Sequence, residues 1–365
     1  MCTRYGFVRC FALLGVVLVV QGLLAQDVTS QPEGRSVVSY TEALRPEKIS
    51  ARKITIPDVG EYKVLKGDFH IHTVYSGGIV LPATRVRDAY YNGFDVIAIT
   101  DHVESSGVKG FPKDIDRNMP YNTAKDEAEK RKLLLLHSVE ISQKQGHFNA
   151  HFISDANPIF ALNGDWKAMI AAAVEQGAYI QWNHPGTRAE NGKAALFTDD
   201  HEELRTKGYL HGVEVFNSFY FFPYALDWCN ERDLTPMCDS DIHGTEVDVY
   251  GNRNLQRPIT LVLAKEKSLE SVKEAFFAKR TVGWAANMIF GREPWVEKLF
   301  RSCVKIKKTE TGLTLQNLSD IPCVIEADGK TSELTPKGSL DIPATKKLTV
   351  TNWLVGANKP LEMTP

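Results

Sequence analysis

This sequence predicts an α/β protein: parallel βα units over most of the chain, then a small antiparallel β-sandwich. Three observations carry that reading. Short apolar runs alternate with helical patterns from about residue 54 to 293, which implies strands joined by helical crossovers. Polar residues of metal-ligand type recur where those runs end, the strand ends at which barrels and open α/β sheets place their chemistry. Beyond about residue 294 the pattern changes to short strands separated by turn residues, and no histidine occurs there. Pattern alone leaves a barrel and an open doubly wound sheet both possible.

Taken in order, Arg4 and Arg9 precede an apolar run over residues 11–24, and Ala25 supplies a small residue for cleavage. That is the layout of a secretory signal peptide over 1–25. The run is shorter than the roughly 18 to 20 residues a spanning helix needs. Export to a periplasm or beyond is expected, with no membrane span after signal removal. Residues 26–53 are polar and aperiodic and read as a mobile leader. A first strand should end in residues 68–72, followed by a helix over 82–92 with Pro82 in its first turn and Gly93 as its stop.

The run 95–100 suits a buried parallel strand. Residues 105–121, with Gly107, Gly110, Pro112 and Pro120, form an irregular insertion expected to face substrate. A charged helix over 123–132 leads to a strand over 133–141. Then come a loop-to-strand stretch with His147 and His151, a helix capped by Asp165, and strands over 178–182, 212–216 and 236–240. A strand over 259–264 and a helix over 269–279 complete the α/β part, 54–293. The sandwich, 294–365, has strands expected near 304–307, 313–316, 323–327, 339–342 and 347–351.

Composition is that of an ordinary globular protein: 365 residues, 43% apolar, 24% charged, formal net charge −2. Without a basic excess, no obligate nucleic-acid partner is implied. Cys2 and Cys10 would leave with the signal. The other four cysteines are too scattered for a disulfide framework. Cys303 and Cys323 are candidates for pairing, with buried free thiols as the alternative.

The chemistry centres on His70-Ile71-His72. Alternate residues of a strand share a face, so two imidazoles that close can hold one divalent cation. A solvated pair is the ordinary explanation of an isolated HxH, but this one is followed by Thr100-Asp101-His102, Glu140, His151, Asn183-His184-Pro185 and Asp241-Ile242-His243. His72 and His102 are thirty positions apart, and Glu140 and His151 eleven. From Gly67 to Phe290 this ordered set resembles the PHP (polymerase and histidinol phosphatase) superfamily of metal-dependent hydrolases. The resemblance implies a distorted seven-stranded (β/α) barrel and two or three divalent ions, Mn, Zn or Fe. It also implies that His70, His72, Glu140 and Asp241 serve a first ion, Glu140, His151 and His184 a second, and His102 and His243 a third. Glu140, Asp241 and His243 are the expected catalytic residues.

One departure bears on the third ion. The family run is commonly HxHTxxSDG, whereas here Gly77 stands where its aspartate would be. A two-metal centre is therefore the expectation. Asp101 is expected to orient a ligand histidine, and His147 to be a loop histidine, because His151 has the matching spacing. Asn183 and Asn217 suit either strand-end hydrogen bonding or substrate contact. Arg188, Lys193 and Arg253 are expected to be solvated.

Three readings follow: hydrolysis of a phosphoester on a small molecule, hydrolysis of a carboxylic ester, amide or carbamate on the same metals, or a non-enzymatic binding protein. Phosphate leads because clustered cations suit a charge-rich transition state.

Overall fold

The apolar run behind Asp68 forms β1 (Lys63–Asp68), which pairs in parallel with β2 (Val96–Ile99). All four residues of β2 are buried, as a strand covered on both faces requires. Next come β3 (Leu134–Gln143), parallel to β2, and β4 (Gly146–His151), antiparallel to β3. Strand β5 (Tyr179–Trp182) is antiparallel to β4, and β6 (Gly212–Asn217) is parallel to β5. The short β7 (Tyr220–Phe221) folds back on the end of β6, and β8 (Thr235–Asp239) lies parallel to β6. Beyond their last residues β8 and β1 meet through a single parallel bridge, Ile71 to Ile242, so the pairings close on themselves.

This computed structural model describes residues 50–105, 115–186, 196–253 and 255–365. The expected signal segment, nearly all of the leader, the middle of the 105–121 insertion, Arg188 and Lys193 lie outside them. No helix among the described residues is long and apolar enough to cross a membrane.

The architecture is mixed α/β with a large sheet rich in parallel pairs, and it corrects the expectation of uniformly parallel units. Strand β4 runs against both its neighbours because only Lys144 and Gln145 separate it from β3, too few residues for a crossover. Strands β9 (Ile259–Ala264), β10 (Thr281–Ala285) and β11 (Met288–Gly291) form an antiparallel meander leaving β1.

The expected helices are present. Pro82–Tyr91 starts with proline at its first turn, Asp165 accepts a bond from Ala168 N at the head of Trp166–Glu175, and Ser268 caps Leu269–Phe277. The sequence reading missed the helix Glu293–Cys303. Its buried stripe is Val296, Leu299, Phe300 and Cys303, and Phe300 meets the Trp353 ring edge-on at 5.4 Å.

After this helix β12 (Val304–Lys308), β13 (Gly312–Asn317) and β16 (Ser339–Pro343) form an antiparallel sheet. Strands β14 (Cys323–Ala327), β15 (Lys330–Leu334), β17 (Leu348–Gly356) and β18 (Lys359–Met363) pair antiparallel among themselves. Strand β17 also pairs in parallel with β11, which joins them to the large sheet. One apolar core runs from Ile97 and Leu261 through Trp284 and Leu299 to Trp353, and residues 51–365 form one compact unit. Cys303 ends a helix, and it and Cys323 are buried free thiols rather than a pair.

Two histidines outside the ligand series are part of this core and make it acid-sensitive. His211 Nδ1 accepts the Ile180 N–H at 2.9 Å. His201 Nδ1 accepts from Thr198 N at 3.2 Å, and its ring stacks on Trp182 at 3.8 Å. Burial pushes both down to about 4. Because the folded values lie below the unfolded one, the unfolded chain binds more protons, and stability falls as pH drops from about 6.5 toward 4. Replacing both by Asn keeps an acceptor and removes the titration. Melting temperatures of metal-stripped protein should then fall less between pH 7 and 5 in the double variant than in wild type. The difference expected is on the order of 1–2 kcal/mol per histidine; equal falls would contradict it.

Candidate metal centre

The bridge between Ile71 and Ile242 sets the centre of the site. It holds two segments side by side, His70–His72 beyond β1 and Ser240–His243 beyond β8, through Asp241 N to His70 O at 2.8 Å and His72 N to Ile242 O at 3.1 Å. His70 and His72 therefore point the same way, and their Nε2 atoms lie 3.1 Å apart. Asp241 Oδ1 stands 3.3 Å from one and 3.1 Å from the other.

Glu140, within β3 and fully buried, comes in from the opposite side. Its carboxylate lies within 3.6 Å of five imidazoles: His102 at 2.8 Å, His147 at 3.1 Å, His72 at 3.2 Å, His70 at 3.4 Å and His184 at 3.6 Å. His243 completes the group, its ring stacked on His72 at 4.2 Å. Asp241 and His184 have positive φ, 50° and 29°. Such backbone is costly for residues with a Cβ and collects at functional sites.

Hydrogen bonds determine which ring nitrogens face inward. His70 Nδ1 lies 2.8 Å from buried Glu214, an acceptor, so it is the protonated nitrogen. Ser76 donates its hydroxyl proton to Asp101 at 2.5 Å, which leaves its oxygen to accept from His72 Nδ1 at 2.8 Å. Both Nε2 atoms of the neutral rings then carry lone pairs and face each other at 3.1 Å. Two acceptors cannot bond each other, so the gap calls for a proton or a cation.

Electrostatics agree. Burial pushes His70 down, but Asp241, Glu214 and Glu140 together outweigh it and hold it well above the ordinary imidazole value. Burial likewise opposes His72, and the Asp241 and Glu140 carboxylates beside it bring it up to about 9. Burial raises Glu140, but the charges of His102 and His70 outweigh it and hold the carboxyl well below its usual range. Glu140 Oε2 and His102 Nδ1 are buried and make no hydrogen bond, although they are 2.8 Å apart. Convergent imidazole lone pairs, shared carboxylates and orphaned buried atoms fit a divalent cation, with the far nitrogens tethered as ligand histidines require. Among the described residues, four sets of ligand atoms lie within 4.8 Å of one another: His70, His72 and Asp241; His70, Glu140 and His184; His102, Glu140 and His147; His72, His102 and His243.

His151, expected as a ligand of the second ion, is not among them. In the β3–β4 hairpin Glu140 faces Asn149, with His147 opposite Ser142 on one side and His151 opposite Ser138 on the other. Both histidines share the face of Glu140. His147 is toward the carboxyl end of β3, beside His102 and His184. His151 is toward the interior, where its ring meets Phe69, Phe276 and Tyr179 at 6.2 to 6.3 Å. Its Nδ1 bonds Ser138 Oγ at 3.0 Å, and burial pushes it down to about 3, a neutral core imidazole. His147, expected in a loop, is a strand residue with Nε2 held by Ser142 at 2.8 Å and Nδ1 aimed at Glu140.

The remaining expected residues support these. Asp101 accepts from Thr73 N and Oγ1 as well as Ser76, so it orients His72 through a serine rather than its neighbour His102. Asn183 donates to Glu140 at 2.8 Å, and Asn217 to Glu214 at 2.9 Å. A Cβ at Gly77 would fall 2.8 Å from His243 Cδ2, so the His243 ring stands where a side chain at 77 would begin. The guanidinium of Arg253 lies over the Phe219 ring at 5.1 Å. Sequence reasoning missed Glu214, although a glutamate in the apolar run of β6 was a readable sign, since a buried carboxylate needs a partner.

No family model and no curated protein matches the chain. Among solved structures it is similar to a two-domain protein from Bacteroides vulgatus that contains a predicted PHP-like metal-dependent phosphoesterase. That similarity is 32% identity over 86% of this chain and 98% of that one, with a TM-score of 0.79. A protein from Bifidobacterium adolescentis assigned as a metal-dependent phosphoesterase is 19% identical over 49% of this chain and 87% of that one, TM-score 0.39. An amidohydrolase from Chromobacterium violaceum is 15% identical over 50% and 89%, TM-score 0.38.

Proposed function

The chain belongs to the family of PHP-like metal-dependent phosphoesterases, and from that premise we propose that it hydrolyses a phosphoester of a small molecule at a centre of two divalent ions. The observation that carries this reading is the pair of facing Nε2 atoms, with Asp241 and Glu140 closing the gap between them. His70, His72, Asp241 and Glu140 would hold one ion. Glu140, His147 and His184 would hold the other, so that Glu140 is shared. Manganese, zinc and iron all suit an imidazole–carboxylate set without thiolate. Bound cations of this kind acidify water and neutralise charge that develops on a transferring phosphoryl group.

The chain's own residues supply the rest. Glu214 and the Ser76–Asp101 pair fix the tautomers of His70 and His72, so both present Nε2 to the site. Asn183 holds Glu140 Oε1 from behind and leaves Oε2 free toward His72 and His102. His102 and His243 cluster with His72, with His243 Nδ1 held 2.8 Å from its own segment's Asp241 carbonyl. Its other nitrogen remains for substrate or for a further ion.

The test is a screen of full-length protein with added manganese or zinc against phosphomonoesters, phosphodiesters and aryl carboxylic esters. Turnover of a phosphoester that chelation abolishes is expected. Turnover of carboxylic esters alone would overturn the choice of bond, and no turnover of any class would overturn the enzyme reading.

A further inference from the structure

The seam between β8 and β1 is where the site is most exposed to loosening. Elsewhere the strands around the site are joined by ladders of two to six residue pairs. Here one isolated bridge, with two backbone hydrogen bonds, joins the segments that carry His70, His72, Asp241 and His243. Buried side chains do the remaining joining. Asp239 accepts from Phe69 N at 2.9 Å, and Asp68 accepts from Ser240 N at 3.1 Å and from Arg257.

On the outer side, Arg85 reaches in from the helix Pro82–Tyr91. It has no solvent exposure. Its Nε donates to His72 O at 2.9 Å and its Nη2 to Ile242 O at 3.1 Å, one carbonyl from each segment. Its Nη1 makes no hydrogen bond, and Asp88 is no nearer than 4.0 Å. A fully buried guanidinium is costly unless its bonds are needed, and the two it makes both fall on the seam.

We propose that Arg85 is a positioning residue for the metal centre, a staple that holds the His72 and Ile242 segments at one separation and thereby sets the gap between His72 and Asp241. The metal part of this rests on the reading above; the seam part does not. A planar fork with fixed donors suits two carbonyls on adjacent segments, whereas lysine reaches one of them at a time. Loss of the staple leaves the ligands present but their spacing loose. Tethers behind metal ligands of this sort are worth about 10- to 100-fold in affinity.

Full-length Arg85→Lys and Arg85→Met, with Asp88→Asn as a control that touches neither carbonyl, provide the test. Two measurements are made: hydrogen exchange of metal-free protein over residues 70–73 and 240–243, and manganese affinity by equilibrium dialysis. Arg85→Lys should exchange faster in those two segments only and bind manganese at least about tenfold more weakly, and Arg85→Met more weakly still. Asp88→Asn should match wild type in both. Should Arg85→Met fail to fold, Arg85→Lys decides. Wild-type exchange and affinity in folded Arg85→Lys would overturn the proposal, as would faster exchange spread evenly over the chain. If wild type binds no manganese, the metal reading fails, and the exchange pattern alone decides whether Arg85 closes the seam.

Discussion

Glu140→Gln should lose at least one metal ion and nearly all turnover while keeping its fold. The carboxylate faces five imidazoles, more than any other acid among the described residues. Glutamine has the same shape, so packing around it is undisturbed, and the Asn183 contact needs only a flip of one amide. What changes is charge. An amide oxygen is a weak ligand for one hard cation and a poorer one for two. Removing a ligand should cost more than the 10- to 100-fold typical of the groups behind ligands, so a fall in activity of well over about a hundredfold is expected. Unchanged metal content and activity would remove Glu140 from the centre.

The second large effect separates two histidines that the sequence and the structure rank in opposite orders. His147→Ala should deplete the ion shared with Glu140 and His184 and abolish most activity, with melting of the metal-free protein near wild type. His151→Ala should do the reverse. Its ring fills space among Phe69, Tyr179 and Phe276, so the truncation should cost about 2–4 kcal/mol of stability. Metal content of the protein that remains folded should be normal. Metal analysis and thermal melting of the two variants, side by side, check this. Loss of metal from His151→Ala with stability intact would restore the sequence-based assignment.

The reason for that reversal shows what a sequence can and cannot specify. His70, His72, His102, His184, Asp241 and His243 were legible because each follows an apolar strand whose carboxyl end faces the site, and position along a parallel strand survives errors of a residue or two. His147 and His151 sit on one antiparallel strand, on the same face, two rungs to either side of Asn149. Which of them is beside Glu140's neighbours depends on the register of the β3–β4 hairpin, and so on a two-residue turn at Lys144-Gln145. Spacing to Glu140, eleven against seven, contains no information about that turn.

Which ligands Glu214, Ser76 and Arg85 serve was illegible for another reason. They act on ligands from other strands or from a loop, and only folding brings them there. The join between β11 and β17 is of the same kind, a parallel pairing between residues more than sixty positions apart.

The central claim is that these side chains hold divalent ions, and elemental analysis of full-length protein tests it most directly. Protein stripped by chelation, dialysed against manganese or zinc and then freed of excess should retain about two ions per chain. It should also melt at a higher temperature than the stripped form, because an ion that binds only the folded state stabilises it. Retention of no ion, with a melting temperature unmoved by either metal, would contradict the account.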